Sequence, residues 1–353
     1  MGETREPAPR VAIVGGGVAG ALLALRAATA PAPARVDLFT ARPPGGEDAS
    51  GASGGLVRGF ESDADACRAA AESLAEIRDS AVLREWTGYR ETGSLYVLPE
   101  GAGPEGPLAV LAAYLPGSAE VVERGRILRD FPFRTLPDRA VAVVERHAGH
   151  ISPGRLRTAA LREAVAAGVT VRTTPVDTVT RGPAVRTEDG GEHPYDHVVL
   201  AAGAWTPRLL ARSGLPPGGL RVKQIQYSVG ETPLTGIGSF VDESSGLYGR
   251  PYGDGTFLLG LPTDRWDVDP DAVTPDGALA ERVARCAGRV FGVPFAFAAG
   301  RTVTACDCYH DTPGLVLRQV GPGLHTFTGG SGGAAKTVLS ASRTAAATLL
   351  AYT

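Results

Sequence analysis

Lysine is nearly absent from this 353-residue sequence: it occurs only at Lys223 and Lys336, so arginine supplies almost all of the 35 basic residues. Cysteine is also scarce, and the four cysteines and six histidines fit neither a disulfide framework nor a metal-binding pattern. No run of about 20 apolar residues is present, so no transmembrane helix is predicted. The net charge of -3 argues against a nucleic-acid-binding protein, because such domains are usually strongly basic.

The first ten residues, MGETREPAPR, lack the apolar core of a secretory signal. Glu6 also stands where the myristoylation pattern requires Ser or Thr. The hydrophobic content of 43% and charged content of 21% are typical of a globular protein. We therefore expect a soluble, cytoplasmic protein that binds neither nucleic acid nor a membrane.

A glycine cluster near the N-terminus joins a short apolar run to an apolar helical stretch in VAIVGGGVAGALLALRAATA, residues 11–30. Gly15, Gly17 and Gly20 form the pattern GxGxxG. The first glycine permits a tight turn, the second lets a pyrophosphate approach the backbone, and the third lets the helix pack closely. The strand–turn–helix context predicts a dinucleotide-binding turn, although a glycine-rich turn without a ligand has the same pattern.

The second predicted strand, residues 35–42, lacks the acidic residue that usually binds the ribose hydroxyls. Thr40 takes that place, and Arg42 follows it, so we expect these two side chains to reach the adenosine or a phosphate. The fingerprint occurs once, whereas an enzyme that binds both FAD and NAD(P)H often carries two. Electrons are therefore expected from an organic substrate.

The remaining chain alternates strand–helix units with a β-rich insert. Apolar periodicity predicts helices in the segments 63–83, 152–174, 277–290 and 335–351. Apolar runs between turn residues predict strands in 92–99, 197–205, 299–310 and 323–328, and an antiparallel sheet in 219–262. The fold class is therefore α/β.

Seven stretches in this order resemble the FAD-dependent amine and amino-acid oxidases of the D-amino-acid oxidase superfamily, with most similarity to the monomeric sarcosine oxidase branch. They cover nearly the full length: 11–20, 49–60, 91–99, 148–156, 197–210, 246–260 and 326–336. The resemblance implies a Rossmann-type FAD-binding domain with an interleaved antiparallel-sheet substrate domain. The first domain is expected to comprise residues 1–88, 150–218 and 315–353, and the second residues 89–149 and 219–314.

The resemblance also implies FAD as the cofactor. The small-residue loop SGASGG, residues 50–55, lets backbone amides approach a phosphate or the flavin, although it could equally be a surface turn. The expected FAD contacts are Gly15, Gly17, Val18, Ala19, Gly20, Thr40, Arg42, Ser50, Gly51, Ala52, Ser53, Gly54, Gly55, Leu56, Val176, Ala201, Ala202, Gly203, Trp205, Gly330, Ser331, Gly332, Gly333, Ala334 and Lys336.

The stretch GGSGGAAKT, residues 329–337, is similar to a nucleotide-hydrolysing P-loop, but Ala335 replaces the glycine that should precede the lysine. In the sarcosine oxidase-like interpretation, the stretch begins the last helix below the flavin, and Lys336 binds the substrate carboxylate. Arg58 is the best match to the family's second carboxylate-binding residue. Either cation could instead be solvated, although a lone lysine in an arginine-rich chain favours a specific role.

Further catalytic candidates come from the predicted sheet. Lys223 could supply the positive charge that favours electron transfer to oxygen, because Leu258 stands where the family has its oxygen-activating lysine. Tyr248 and Arg250 could contact the substrate, or they could be sheet residues with solvated tips. Tyr309 matches a family tyrosine. Pro262 replaces a family histidine, so sarcosine itself is not the expected substrate.

Covalent flavin attachment is an open alternative. In family members with covalent flavin, a cysteine lies five residues before a Thr-Pro pair; here that position is Asp307, with Cys306 and Cys308 on either side. Because side chains alternate along a strand, either thiol could reach the flavin only through a β-bulge. The two cysteines could equally be small core residues.

These observations predict an FAD-dependent oxidoreductase that converts an amine or amino acid to an imine by hydride transfer to flavin N5. The substrate is expected to bear a carboxylate and a secondary or cyclic amine, with O2 as the acceptor. The alternatives are a dehydrogenase with another acceptor, a flavin monooxygenase-type enzyme or a non-catalytic flavin binder. No metal is expected.

Overall fold

The computed structural model describes residues 8–41, 48–253 and 255–352. Arg42, one of the expected FAD contacts, lies outside these residues. The α-helices of the described chain are α1 (Val18–Ala28), α2 (Ala64–Asp79), α3 (Ala81–Thr87), α4 (Glu105–Tyr114), α5 (Arg124–Asp130), α6 (Pro153–Ala166), α7 (Thr206–Arg212), α8 (Gly277–Phe291) and α9 (Ala334–Leu350). Short 3₁₀ turns at Gly203–Trp205 and Ser331–Gly333 precede α7 and α9.

The strands of the described chain form four sheets. They are β1 (Arg10–Val14), β2 (Arg35–Phe39), β3 (Leu56–Val57), β4 (Arg90–Glu91), β5 (Ser94–Val97), β6 (Ala119–Glu123), β7 (Val141–Glu145), β8 (Gly149–His150), β9 (Thr170–Arg172), β10 (Val176–Thr180), β11 (Ala184–Thr187), β12 (Glu192–Pro194), β13 (His197–Leu200), β14 (Leu220–Glu231), β15 (Ser239–Asp242), β16 (Leu247–Gly253), β17 (Thr256–Gly260), β18 (Ala296–His310), β19 (Val316–Gly321) and β20 (Leu324–Thr328).

The dinucleotide turn belongs to a six-stranded sheet with the order β19-β20-β13-β1-β2-β9. All neighbours are parallel except the β19–β20 pair. Strand β13 lies between β1 and β20 and is buried at all four positions, which confirms the predicted buried parallel strand. Helix α1 contacts both α6 and α9, and the three helices bury their apolar faces in one core.

The β-rich insert forms an eight-stranded sheet with the order β18-β14-β17-β16-β15-β5-β7-β6. Its pairs are antiparallel except β15–β5, so the antiparallel sheet predicted for 219–262 is confirmed. A cluster of aromatic side chains packs below it, with Phe133, Phe240 and Phe291 in edge-on contact. Together the two sheets confirm the α/β fold class, while the proposed domain boundaries stay a prediction.

Local capping explains where the helices begin and end. The Ser152 hydroxyl accepts the amide of Arg155 at the start of α6, and Gly168 adopts a positive φ just beyond its end, as the sequence predicted. The segment 63–83, predicted as one helix, is two. Ser80 interrupts it because its backbone is extended and its hydroxyl accepts the amide of Leu83, which starts α3.

The carboxyl ends of the central parallel strands meet at one edge of the six-stranded sheet. Val14, Ala201 and Thr328, at or just beyond the ends of β1, β13 and β20, line one large cavity there. Ligands bind at this edge in open α/β sheets. No helix in the described parts of the chain is long and apolar enough to span a membrane.

Candidate active site

The first cavity, here called the nucleotide cavity, has a volume of about 440 Å³ and begins at the glycine turn after β1. Gly15 has φ +126°, and a Cβ there would lie 2.4 Å from the carbonyl oxygen of Ala201. A Cβ on Gly20 would lie 2.0 Å from the carbonyl oxygen of Gly15. Gly17 instead faces the cavity, and a Cβ there would meet only the Ser50 hydroxyl oxygen, at 3.4 Å. Each of the three glycines is therefore required for a different steric reason.

Most of the expected FAD contacts meet around this cavity or its neighbour. The residues that line one or both are Gly15, Gly17, Val18, Ala19, Thr40, Ser50, Ser53, Gly54, Gly55, Leu56, Val176, Ala201, Ala202, Gly203, Trp205, Gly330, Ser331, Gly332, Ala334 and Lys336. Gly20, Gly51, Ala52 and Gly333 line neither of the two cavities. Gly20 acts through packing, because it brings α1 close to the turn.

The sequence analysis did not identify an ion pair in the nucleotide cavity between a buried arginine and a partly exposed aspartate. The Arg157 Nη1 lies 2.6 Å from the Asp48 Oδ2, and Arg157 is only 3% exposed. Its Nε has no hydrogen-bond partner among the described residues. In the sequence, Arg157 is one of several arginines in α6, and Asp48 is 109 positions away, so no local pattern links them.

The second cavity, here called the substrate cavity, adjoins the first and has a volume of about 370 Å³. The two share the lining residues Val18, Ala49, Ser50, Asp307, Ser331 and Ala334. Three cationic side chains line the substrate cavity: Arg58, Lys223 and Lys336. The structure thus brings together both expected carboxylate-binding residues and the expected oxygen-activating lysine.

Arg58 and Lys336 share a carboxylate that the sequence analysis did not identify. Glu61 forms ion pairs with the Lys336 Nζ at 2.5 Å and with an Arg58 Nη at 2.9 Å. The Arg58 guanidinium also lies 4.8 Å from the ring centroid of Tyr96 and donates to the Phe60 carbonyl. Arg58 and Lys336 thus share one carboxylate, and Glu243, another carboxylate of this cavity, also acts on the charge of Lys336.

The ionisation of this cluster follows from burial and charge. Burial alone would raise the pKa of Glu61, but Arg58 and Lys336 hold it below the ordinary value. Burial and the charge of Arg58 lower the pKa of Lys336, and Glu61 opposes that change. The loop that carries Glu61 is itself fixed, because the amides of Gly59 and Phe60 donate to the buried carboxylate of Glu145.

Lys223 lies over two aromatic rings. Its Nζ is 4.7 Å from the ring centroid of Trp266 and 5.6 Å from that of Tyr309, which are cation–π distances. Burial raises the pKa of Tyr309 to about 12, so its hydroxyl stays neutral at physiological pH. Leu258, at the position where the resemblance implies a lysine, is fully buried beside Tyr227.

Tyr248 and Arg250, which were predicted together, have different surroundings. Tyr248 lines the substrate cavity, and its hydroxyl donates to the Gln226 carbonyl at 3.3 Å. The position of its ring requires glycine at residue 260, because a Cβ there would overlap the ring. Arg250 lies outside the cavity; its Nε donates to the Gly54 carbonyl at 2.6 Å. Its contact is therefore with the small-residue loop rather than with a substrate in this cavity.

Both cysteines line the nucleotide cavity, and covalent attachment through either of them stays a prediction. The β14–β18 register runs without a shift from the Leu220–His310 pair to the Ser228–Thr302 pair, so no bulge turns a thiol toward the other face. Cys306 packs with Ala204 and Val222, and Cys308 lies in another apolar cluster. Burial raises the pKa of both thiols to about 11, which leaves little reactive thiolate.

The fold and the glycine turn define a dinucleotide-binding protein of the Rossmann type with a second cavity beside the dinucleotide. The family description "FAD dependent oxidoreductase" (DAO) matches residues 10–348. The chain therefore belongs to the DAO family of FAD-dependent oxidoreductases. No curated protein matches the sequence.

Solved structures with the same fold span nearly the whole chain. L-proline dehydrogenase from P. horikoshii has a TM-score of 0.77 and 16% identity, covering 96% of this chain and 92% of its own. Glycine oxidase from Geobacillus kaustophilus has a TM-score of 0.74 and 22% identity, covering 98% and 95%. NikD, described as an unusual amino acid oxidase essential for nikkomycin biosynthesis, has a TM-score of 0.73 and 23% identity, covering 96% and 93%.

The residues of the nucleotide cavity fit FAD. Gly17 leaves open the space that a pyrophosphate would fill. Helix α1 begins there with no cap from Gly17 itself, and the Val18 amide donates to the Ser50 hydroxyl at 3.0 Å. The unpartnered Nε of the buried Arg157 is a donor that a polar ligand atom would satisfy. Among the described residues, no group of three or more His, Cys, Asp or Glu side chains is placed to hold a metal ion.

Proposed function

We propose that this protein oxidises the C–N bond of an amine or amino acid to an imine, with O2 as the electron acceptor. The substrate would bear a carboxylate and a secondary or cyclic amine. FAD would supply the redox chemistry, because its isoalloxazine accepts a hydride equivalent at N5 from the carbon next to nitrogen. The coarser activity, FAD-dependent oxidoreductase, follows from the family.

The observation that carries the proposal is the pair of buried cations at the wall of the substrate cavity. Lys336 lies in the first turn of α9, where the helix dipole adds positive potential. Arg58 approaches from the loop after β3, and the two cations share Glu61. A substrate carboxylate would therefore find two desolvated cationic donors side by side next to the cofactor cavity.

The chain's own residues would bind and orient the substrate rather than act on it covalently. Arg58 and Lys336 would anchor the carboxylate, and Tyr248 would form a wall of the cavity near the reacting carbon. Tyr309, held against Trp266, would close another side and exclude water. Such positioning contributes to rate by fixing the reacting carbon relative to the cofactor.

An anaerobic screen tests this proposal. The FAD-loaded protein is mixed with amino acids, N-alkylated amino acids and cyclic amino acids without oxygen, and the loss of flavin absorbance is followed. We expect carboxylate-bearing secondary or cyclic amines to bleach the flavin and their decarboxylated analogues to do so poorly. Equal bleaching by the decarboxylated analogues, or no bleaching by any amine, would contradict the proposal.

A second candidate, a dehydrogenase with another electron acceptor, is favoured by the surroundings of the cations. Leu258 is buried and apolar where the resemblance implies a lysine, and the Lys223 ammonium lies over the rings of Trp266 and Tyr309. Admitting air after the anaerobic screen separates the two candidates. Rapid return of the yellow colour supports an oxidase, and slow return that an artificial acceptor accelerates supports a dehydrogenase.

Bleaching by NADPH alone would instead indicate a monooxygenase-type enzyme.

A further inference from the structure

Among the described residues of the eight-stranded sheet, one carboxyl group lines both cavities at their junction. Asp307 lies on β18 directly opposite Lys223 of β14, and it lines both cavities. Because side chains alternate along a strand, its side chain points away from the face that Cys306 and Cys308 occupy. Asp307 is 8% exposed. A ligand that extends from the nucleotide cavity into the substrate cavity must pass this carboxyl group.

The other carboxylates of the substrate cavity are bound, whereas Asp307 is not. Asp242 accepts from the hydroxyl groups of Ser244 and Ser245, and Glu243 accepts from the hydroxyl of Tyr96. Within the described residues, the Asp307 carboxyl group has no hydrogen bond or ion pair, and burial raises its pKa to about 7. A buried, unpartnered carboxyl group is costly unless a ligand uses it.

FAD is the ligand that fits the path along Asp307. The family supplies the cofactor, and the nucleotide cavity fits its adenine, pyrophosphate and ribityl portions. The flavin ring must then reach the substrate cavity through the junction that Asp307 lines with Ser331 and Ala334. We propose that Asp307 is a further catalytic residue, whose carboxyl group contacts the flavin ring and takes up a proton when the flavin gains two electrons.

The proton and charge balance supports this role. Two electrons and one proton convert FAD to its reduced anion, FADH⁻, and a second proton from solvent converts the Asp307 carboxylate to the neutral acid. The uptake avoids two adjacent negative charges in a buried space. Lys223 is the register partner of Asp307 on β14, and its ammonium lies over the rings of Trp266 and Tyr309 rather than in an ion pair with Asp307 among the described residues. Tyr227 (β14), Tyr248 (β16) and Tyr309 (β18) have raised pKa values and stay neutral near pH 7, as do the thiols on either side of Asp307.

The pH dependence of the flavin reduction potential tests the proposal. FAD-loaded wild type and Asp307→Asn are titrated with dithionite and a reference dye between pH 5.5 and 9. Above neutral pH, we expect the wild-type potential to fall more steeply with pH than the potential of the variant, because the wild type takes up one extra proton per two electrons. The extra slope is about 30 mV per pH unit. The two proteins should converge at low pH, where the protonated carboxyl group resembles the amide. Asp311→Asn, which removes an exposed carboxylate just after β18, should behave as wild type.

Parallel potential–pH lines for wild type and Asp307→Asn would overturn the proposal. An ester between the flavin and Asp307 would also overturn the proposal, because an esterified carboxyl group cannot exchange a proton. Flavin attached in this way would stay with the protein pellet after acid precipitation. If Asp307→Asn does not fold or bind FAD, proton uptake by the wild type at pH 8 decides the question. About one proton per FAD reduced overturns the proposal. About two protons support it when the absorption spectrum shows the anion FADH⁻, and they overturn it when the spectrum shows neutral FADH2, because the second proton is then on the flavin. These titrations need no amine, so their outcome is independent of the substrate screen.

Discussion

The nucleotide cavity and the substrate cavity share a wall, but one is formed mainly by backbone atoms and the other mainly by charged side chains. The nucleotide cavity is formed mainly by backbone: glycines at strand ends, a helix start and small-residue loops. The substrate cavity is defined by charged side chains that come from separate segments, with Arg58, Glu61 and Lys336 in one cluster and Asp307 opposite Lys223. A backbone site tolerates little steric change, whereas a charge cluster responds to the loss of single charges.

The largest expected effect is on the backbone-built cavity. Gly17 has an extended backbone (φ -68°, ψ 175°) that any residue can adopt, and it faces the nucleotide cavity. Gly17→Val should therefore fold but lose FAD binding by more than about 100-fold, since its side chain fills the space for the pyrophosphate. Circular dichroism and FAD titration measure the two properties. Gly106→Ala in α4, where no atom lies within 4 Å of an added Cβ, should change neither.

The next effect concerns the charge cluster. Glu61→Gln leaves Arg58 and Lys336 as two buried cations without their shared carboxylate. We expect the FAD-loaded variant to lose about 3–5 kcal/mol of unfolding free energy, as when one partner of a buried ion pair is removed. A small carboxylate ligand should raise the melting temperature of the variant more than that of wild type, because it replaces the missing anion. An equal rise in both proteins would argue against a carboxylate site here.

A smaller effect should depend on pH. The pKa of Asp307 is raised to about 7 when folded, whereas an unfolded aspartate titrates near its ordinary value. The folded state therefore binds the extra proton between these values, and wild-type stability falls as pH rises from about 4 to 7. FAD-loaded Asp307→Asn should be more stable than wild type at pH 8, by at most about 4 kcal/mol. Thermal melts at pH 5 and 8 check this; a constant difference across that range would contradict it.

The smallest expected effect is at the wall of the substrate cavity. The Tyr248 hydroxyl donates one hydrogen bond of 3.3 Å to the Gln226 carbonyl, and its ring fills the space above Gly260. Tyr248→Phe keeps the ring, so KM for the amine should rise by less than about tenfold. Steady-state kinetics measure this change. A loss of kcat greater than about 100-fold would show that the hydroxyl takes part in the reaction itself.

The same contrast explains what could be predicted from the sequence. Gly15, Gly17 and Gly20 lie within six consecutive residues, so their spacing alone indicates the turn and its ligand class. The partner of Lys336 could not be predicted. Glu61 lies in a loop near the opposite end of the chain and belongs to no motif. Asp307 was noticed only as the residue between two cysteines. The sequence could not show that its carboxyl group lacks a partner, because this depends on the sheet register and on neighbouring residues from three strands.

The surroundings of Arg250 could not be predicted from the sequence either. An arginine near a tyrosine on a strand could serve a substrate, but here only the tyrosine lines the cavity. Arg250 uses its guanidinium to hold the Gly54 carbonyl of the small-residue loop. It is therefore expected to act as a positioning residue for that loop. Arg58, by contrast, reaches the cavity because the loop after β3 is held in place by Glu145.

The most direct test of the two-cavity account is a ligand titration of FAD-loaded Lys336→Met. FAD fluorescence gives the cofactor affinity, and the flavin absorption spectrum reports binding of a small aromatic carboxylate. Lys336 is also an expected FAD contact, but it lines the substrate cavity and not the nucleotide cavity. The account therefore predicts near wild-type FAD affinity and carboxylate binding weakened by roughly 10- to 150-fold, the value of a lost charged hydrogen bond. Unchanged carboxylate binding, or loss of FAD together with the carboxylate, would contradict it.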